Sequence, residues 1–277
     1  GIWTLLGGLW VLHFSYWGFN QYIIQRALGA ESLAEAQKGL AFAALLKFLI
    51  PLIVVIPGIA ALWLAQNGLQ GLSEEALSAK PDSTYGALMA LMPVGIRGLI
   101  FAALVAAIVS SLASMINSIS TIFTMDIYRD YVAKDRAETH YVLIGRVTAA
   151  TAMVIALFLA IPLLGGGTSI FQTIQEYTGF VAPGIVAVFV LGFFWKRTNT
   201  AGAFALLISS VILSLLFFTA SGSDGGGVAA ILGPVFNPIL GLADFDVTNM
   251  PFVVRIWFIF LVCVVIGVVV SLMTDPP

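Results

Sequence analysis

The chain has 277 residues, of which 60% are hydrophobic and only 9% charged, and its mean hydropathy is +1.04. Soluble domains carry about 25% charged residues, so a water-facing surface is excluded and lipid is the expected solvent. The net charge of -2 is too small to imply a nucleic-acid partner, and a single cysteine, Cys263, excludes an internal disulfide and a cysteine-rich metal site.

Seven stretches reach the roughly 20 apolar residues that a bilayer-spanning helix needs. They are too long for barrel strands, and open backbone cannot face lipid. The expected fold class is therefore an all-α membrane protein of about seven transmembrane helices, forming a single transmembrane domain over residues 1–277. The first span, Ile2–Arg26, starts at once after Gly1 with no cleavable signal pattern, so a piece of a longer protein is expected. It holds an unusually polar run, Leu12-His13-Phe14-Ser15-Tyr16-Trp17-Gly18-Phe19-Asn20-Gln21. His13, Tyr16 and Asn20 fall at i, i+3 and i+7, on one face of a continuous helix. Gly18 permits a break, and broken helices at mid-membrane are how many secondary transporters expose backbone groups to a solute. An interfacial aromatic belt is the other reading. It suits Trp3 and Tyr22 better than the deeper His13 and Tyr16, and His13 taken alone fits a packing residue equally well.

Residues Glu31–Lys38 read as a short cytoplasmic helix, with Ser32 and Glu35 spaced as a capping box. The second span, Leu40–Gln66, contains Lys47 with apolar residues on both sides. A lysine near mid-membrane costs about 3 kcal/mol on insertion scales. It either snorkels to the cytoplasmic end about two turns away or faces the bundle interior, where a polar solute or a carboxylate compensates it. The connection over residues 67–95 follows, carrying Lys80 with Glu74, Glu75 and Asp82.

The third span, Ile96–Asp126, includes Ala107-Ile-Val-Ser110-Ser111-Leu-Ala-Ser114. Ala103, Ala107 and Ser111 at four-residue spacing allow close helix packing. The same stretch suits a sodium site, because hard cations take oxygen ligands and two hydroxyls plus the Ala107 carbonyl supply them. The 127–140 connection brings Arg129, Lys134 and Arg136, and His140 is expected to be solvated there. The fourth span is Tyr141–Leu164, followed by a turn near Gly165–Gly167. The fifth is Phe180–Trp195 with an approach from Ile170, and Pro183-Gly184 suggest an irregular entry. On that approach Gln175 can donate to and accept from sugar hydroxyls, or serve as a water-exposed cap. The sixth span is Ala201–Ala220. The connection 221–250 is glycine-rich with one apolar patch, Val228–Leu232, and the seventh span runs from about Pro251 to Met273.

Cations orient the spans. Eight of the twelve Lys and Arg residues fall on one side (Arg26, Lys38, Arg129, Lys134, Arg136, Arg146, Lys196 and Arg197), three on the other, and Lys47 lies within a span. The first span thus runs outside to inside, residues 127–140 are cytoplasmic and 221–250 external. The chain has no metal-spaced His/Asp cluster, P-loop or nucleophile–His pairing, so an enzyme is not expected.

Several segments together resemble a known family. Tyr16-Trp-Gly-Phe-Asn-Gln-Tyr-Ile-Ile-Gln-Arg26 resembles the sixth core helix of bacterial sodium/galactose symporters. Ala102-Ala-Leu-Val-Ala-Ala-Ile-Val-Ser-Ser-Leu-Ala-Ser-Met115, continuing to Tyr128, resembles their eighth. Gln172-Thr-Ile-Gln-Glu-Tyr-Thr-Gly179 and Val188-Phe-Val-Leu-Gly-Phe-Phe-Trp-Lys-Arg197 resemble their tenth. The likeness is ordered and covers nearly the whole chain, which is identified as a member of the solute:sodium symporter family. The resemblance implies a leucine-transporter-type fold of two inverted five-helix repeats with sites at the midplane, of which this chain supplies the second half and lacks the first five core helices. It implies Tyr16 as an aromatic gate over the sugar, Lys47 and Gln175 as sugar hydrogen-bonding groups, and Ala107, Ser110 and Ser111 as sodium ligands. His13 falls where the galactose symporter has a sugar-binding Asn, so the solute is expected to be a sugar or polyol and not necessarily galactose. Sodium is the implied coupling ion, and the implied location is multi-pass in the cell membrane, for a bacterium the inner membrane. Two rival readings stand beside it. One is symport of an amino acid or carboxylate, with Lys47 as charge partner for an anion. The other is a non-transporting membrane scaffold subunit, in which the aromatic and polar residues face lipid.

Overall fold

A computed structural model describes residues 4–68, 73, 77, 81–164, 170–222 and 251–276. The Gly165–Gly167 turn, the charges Glu74, Glu75 and Lys80, and the 223–250 connection with its Val228–Leu232 patch lie outside the described residues. The described residues are helical, with no strand among them. Six helices are long and apolar enough to cross a membrane: Leu33–Gln66, Val94–Val132, Glu138–Ala160, Thr173–Phe194, Thr200–Phe217 and Phe252–Met273. The first of the seven expected spans is not among these six, because it is divided into short helices. A π-helical turn, Thr4–Gly8, leads into α1 (Leu9–Gly18), and α2 (Gln21–Leu28) starts afresh after Phe19 and Asn20. The interruption follows Gly18 directly, so Asn20 lies in the break and does not share the face of His13 and Tyr16.

The chain forms two compact units, one of residues 1–23 and 174–277, the other of residues 24–173. In the first unit the part of α8 (Ile170–Thr178) from Ile174 on and α9 (Ala182–Phe194) make up the interrupted fifth span, and α10 (Thr200–Gly222) and α11 (Phe252–Met273) form a hairpin. One buried cluster joins Ala187 and Leu191 of α9 with Leu206 and Phe217 of α10 and Ile259 and Cys263 of α11. A second joins Val11 and Leu12 of α1 with Ala182 and Val186 of α9 and Val253 and Ile256 of α11. Small residues let α10 and α11 touch, since lipid offers no hydrophobic drive between apolar helices and close packing must supply the attraction. A Cβ on Gly202 would collide with the Ser271 hydroxyl, and one on Gly267 would lie 2.6 Å from Leu206 Cδ2. Asn199 closes the hairpin's end. Its Oδ1 accepts the Gly202 N–H at 2.9 Å, and its Nδ2 donates to Thr274 Oγ1 at 2.6 Å and to the Asp275 carbonyl at 2.7 Å.

The second unit contains α3 (Leu33–Lys47), α4 (Ile50–Gln66), α5 (Thr84–Ala90), α6 (Val94–Thr121) and α7 (Glu138–Leu164). Ser32 caps α3 as its spacing predicts, accepting the Glu35 N–H at 3.3 Å. The expected short helix Glu31–Lys38 is not separate, however. Its residues run straight on to Lys47, and the second span is broken at Phe48 and Leu49. The cause is Pro51, which has no N–H to donate back to the Lys47 carbonyl and whose ring crowds it. Pro57 does the same to the Ile53 carbonyl, and there the Tyr85 hydroxyl of α5 donates instead, at 3.3 Å. Arg97 caps α5, giving Nη2 bonds to the carbonyls of Ala90 (2.6 Å) and Met92 (3.0 Å).

The third span continues beyond Asp126 as a π-helical stretch, Ile122–Val132. The following turn is tied by Tyr141, whose hydroxyl donates to the Ala133 carbonyl at 2.8 Å and accepts the Arg136 N–H at 3.1 Å. His140 is therefore not a solvated loop residue. It opens α7 and shares a hydrogen bond with the Tyr128 hydroxyl at 3.1 Å. Most apolar side chains of α3, α4 and α6 are exposed in this unit, as with Leu45, Ile53 and Val109. Such surface is stable only against lipid or further protein.

Candidate functional site

The first unit brings the aromatic run of α1 to an interruption of the backbone. Val11, Leu12 and Ser15 turn inward and are buried, which leaves His13, Tyr16 and Trp17 on the open side. His13 and Tyr16 are three residues apart on one continuous helix and so project on the same side. Tyr16 is 39% exposed. Its hydroxyl accepts from the Tyr22 hydroxyl at 2.8 Å, a bond that spans the break. Trp17 and Tyr22 meet the Tyr16 ring edge-on at 5.0 Å and 6.1 Å. Phe19, inside the break, stacks flat on Phe189 of α9 at 4.1 Å. An edge-on partner and a hydroxyl bond fix the Tyr16 ring and leave it accessible, as a stacking surface requires.

A second interruption separates α8 from α9 at Gly179, Phe180 and Val181, matching the irregular entry that Pro183-Gly184 predict. Gln175 lies half-buried on α8, one turn before this break. Side chains of α10 satisfy the backbone groups at the break. The Gly184 N–H donates to Ser210 Oγ at 3.0 Å, and the Ser210 hydroxyl donates to the Phe180 carbonyl at 3.2 Å. Ser214 adds a third bond, to the same carbonyl, at 3.3 Å. Glu176, next to Gln175, faces Arg255 of α11 at 3.7 Å, and Arg255 Nη1 reaches the Phe217 carbonyl at 3.5 Å. These groups line a cavity of about 30 Å³ with Gly179 and Ser214. That holds one or two waters and is far too small for a hexose.

The second unit carries the other predicted residues. Lys47 is the last residue of α3, at the kink made by Pro51, and is exposed. Ala107, Ser110 and Ser111 are also exposed. They lie on the unbroken α6 at i, i+3 and i+4, which places them on one helical face. One turn further on, the Ser114 hydroxyl donates to the Ser110 carbonyl at 3.1 Å and accepts from Arg26 Nη2 at 2.6 Å. The sequence shows Arg26 and Arg255 only as topological cations and gives Ser210, Ser214 and Tyr85 no role. The signals were present: two serines four apart in an apolar span, a proline needing a donor, and a cation one turn inside a span.

The model of the sodium:solute symporter family matches residues 3–209. The sodium/glucose cotransporter of Vibrio parahaemolyticus is 51% identical over 222 residues, covering 78% of this chain and 41% of that protein. The human sodium/myo-inositol cotransporter 2 is 35% identical over 221 residues, covering 76% and 33%, and the bovine sodium/myo-inositol cotransporter is 33% identical over 213 residues, covering 74% and 30%. The chain thus spans about two fifths or less of the length of these relatives. The family match takes in both interrupted segments, the Lys47 kink and the serine face of α6, and the helices that carry them are of membrane length, so this multi-pass membrane protein belongs to the sodium:solute symporter family.

Proposed function

We propose that this chain is the second-half portion of a sodium-coupled symporter that carries a sugar or polyol by alternating access, within one transmembrane domain of leucine-transporter type. The observation that supports it most is the pair of interrupted helices in one unit, each with a candidate solute group beside the break: Tyr16 at the first and Gln175 at the second. A pyranose has apolar C–H faces and a rim of hydroxyls. An accessible aromatic ring suits the face, and amide, imidazole and ammonium groups suit the rim. In this reading Tyr16 stacks on the ring, Gln175, Lys47 and His13 bond its hydroxyls, and the site is completed by helices outside this chain. The relatives are named for glucose and for myo-inositol. Both are six-membered polyhydroxylated rings, which supports that solute class, and His13 is the position where selectivity among them is set.

Sodium is assigned to α6. Ala107 contributes its carbonyl and Ser110 and Ser111 their hydroxyls, with the remaining oxygens supplied from elsewhere in the complete transporter. Uptake of radiolabelled glucose and myo-inositol by the full-length parent, with and without a sodium gradient, tests the reading. Sodium-dependent accumulation of either is expected. Equal uptake in sodium and in choline medium overturns it.

A further inference from the structure

The break between α8 and α9 is held open by a side chain from a third helix. In an uninterrupted α-helix the Gly184 N–H would donate to the Phe180 carbonyl, four residues back. Here the Ser210 hydroxyl stands between them, accepting from the one at 3.0 Å and donating to the other at 3.2 Å. Side chains that enter the backbone ladder are a known cause of helix bends. Ser210 is 1% exposed and Ser214 3%, so no water competes for these bonds. Gly184 makes the approach feasible, since a Cβ there would lie 2.7 Å from Ser210 Cβ.

We propose that Ser210, assisted by Ser214, is a positioning residue for the solute: its hydroxyl, inserted into the backbone ladder, sets the angle of the half-helix that carries Gln175. The solute part of this inference rests on the reading of Gln175 given above. Without the hydroxyls, the Gly184 N–H and the Phe180 carbonyl are left to find each other, the helix closes toward a straight path, and Gln175 swings with α8. Ser209 is the internal control. It neighbours Ser210, but among the described residues its hydroxyl bonds within its own helix, to the Ala205 carbonyl at 2.7 Å.

The test uses the full-length parent with Ser210→Ala/Ser214→Ala, with Ser209→Ala, and with Gln175→Ala. Spin labels at Ile174→Cys and Phe193→Cys report the distance across the break. The double variant is expected to shift that distance and to raise the apparent solute KM at least about fivefold, the scale of one lost hydrogen bond. Its sodium concentration for half-maximal uptake should stay near the parent value, and Ser209→Ala should change none of the three. An unmoved label distance overturns the proposal, even in a variant that no longer transports. So does an equal loss toward solute and sodium, or the same KM change in Ser209→Ala. Gln175→Ala reports on the solute reading by itself. If it leaves KM unchanged, that reading and the solute role of Ser210 fall together. If Gln175→Ala raises KM while the double variant leaves the distance unmoved, only the role of Ser210 falls.

Discussion

Gly8→Ala is a sharp test of how the aromatic helix is seated. Gly8 ends the π-helical turn before α1, and a Cβ built on it collides with the Val253 carbonyl oxygen, with the Val253 carbonyl carbon at 2.6 Å and its Cγ1 at 2.7 Å. A flexible side chain would step aside, but this obstacle is the backbone of the first turn of α11. Relief requires α1 to move away from α11 by on the order of 1 Å, which loosens Val11 and Leu12 against Val253 and Ile256. Overpacking of this kind costs about 1–3 kcal/mol. For a chain of this size that lowers the melting temperature by roughly 2–5 °C. Because His13 and Tyr16 ride on the same helix, solute KM should rise as well. Thermal unfolding in detergent measures the first effect, with Gly192→Ala as control, since a Cβ on Gly192 meets nothing within 4 Å. A Gly8→Ala protein that melts with the Gly192→Ala control would refute direct packing of α1 on α11 through Gly8.

Lys47→Ala should weaken sodium-driven sugar uptake about tenfold or more, the effect of removing a hydrogen bond from a charged donor, while sodium dependence changes less; uptake that keeps its KM would return Lys47 to a snorkelling role. Ser111→Ala should raise the sodium concentration for half-maximal uptake about fivefold, on the order of 1 kcal/mol of lost coordination, and an unchanged sodium curve would leave Ser111 as a packing residue. Tyr85→Phe removes the donor that serves the Ile53 carbonyl beneath Pro57 and should lower stability by about 1 kcal/mol, read as a drop in melting temperature in detergent; a neutral result would mean that this carbonyl finds another partner.

Hydropathy located the spans because lipid imposes one rule along their length: apolar side chains outside and every backbone group satisfied within. Local chemistry carried further where the cause was adjacent in sequence. Gly18 marked the end of α1, Pro183-Gly184 marked the start of α9, and Ser32 marked the start of α3. The errors arose where the cause lay across an element boundary. A polar run over 31–38 looked like a separate helix, yet a capped helix propagates into an apolar stretch at little cost, so α3 ran on until Pro51 stopped it. His140 looked solvated because its neighbours are charged, and only the fold brings Tyr128 to it. The shared face of Ala107, Ser110 and Ser111 on α6 was legible, since i, i+3 and i+4 spacing needs only a straight helix. The Ser210 bridge was not, because it depends on which helix α10 packs against.

A common physical logic links these interruptions. Each proline or glycine that opens a helix leaves a backbone group whose burial in lipid costs several kcal/mol unless another group answers it. Below Pro57 the answer is a tyrosine hydroxyl from α5; at Phe180 it is two serine hydroxyls from α10. Hydroxyls suit the task because one oxygen both donates and accepts, so it can stand between an N–H and a C=O without adding charge. The breaks therefore tie helices to one another at defined depths, whereas apolar contacts alone let helices slide and rotate. In the proposed symporter the solute groups move between two orientations about a bend, and a bend pinned by a few directional bonds has fewer intermediate states than one left to apolar packing. On the proposed solute reading, Tyr16 and Gln175 each lie within about one turn of a helix break, where a small change in helix angle would move a side chain relative to a solute while leaving the packed ends of the helices in place.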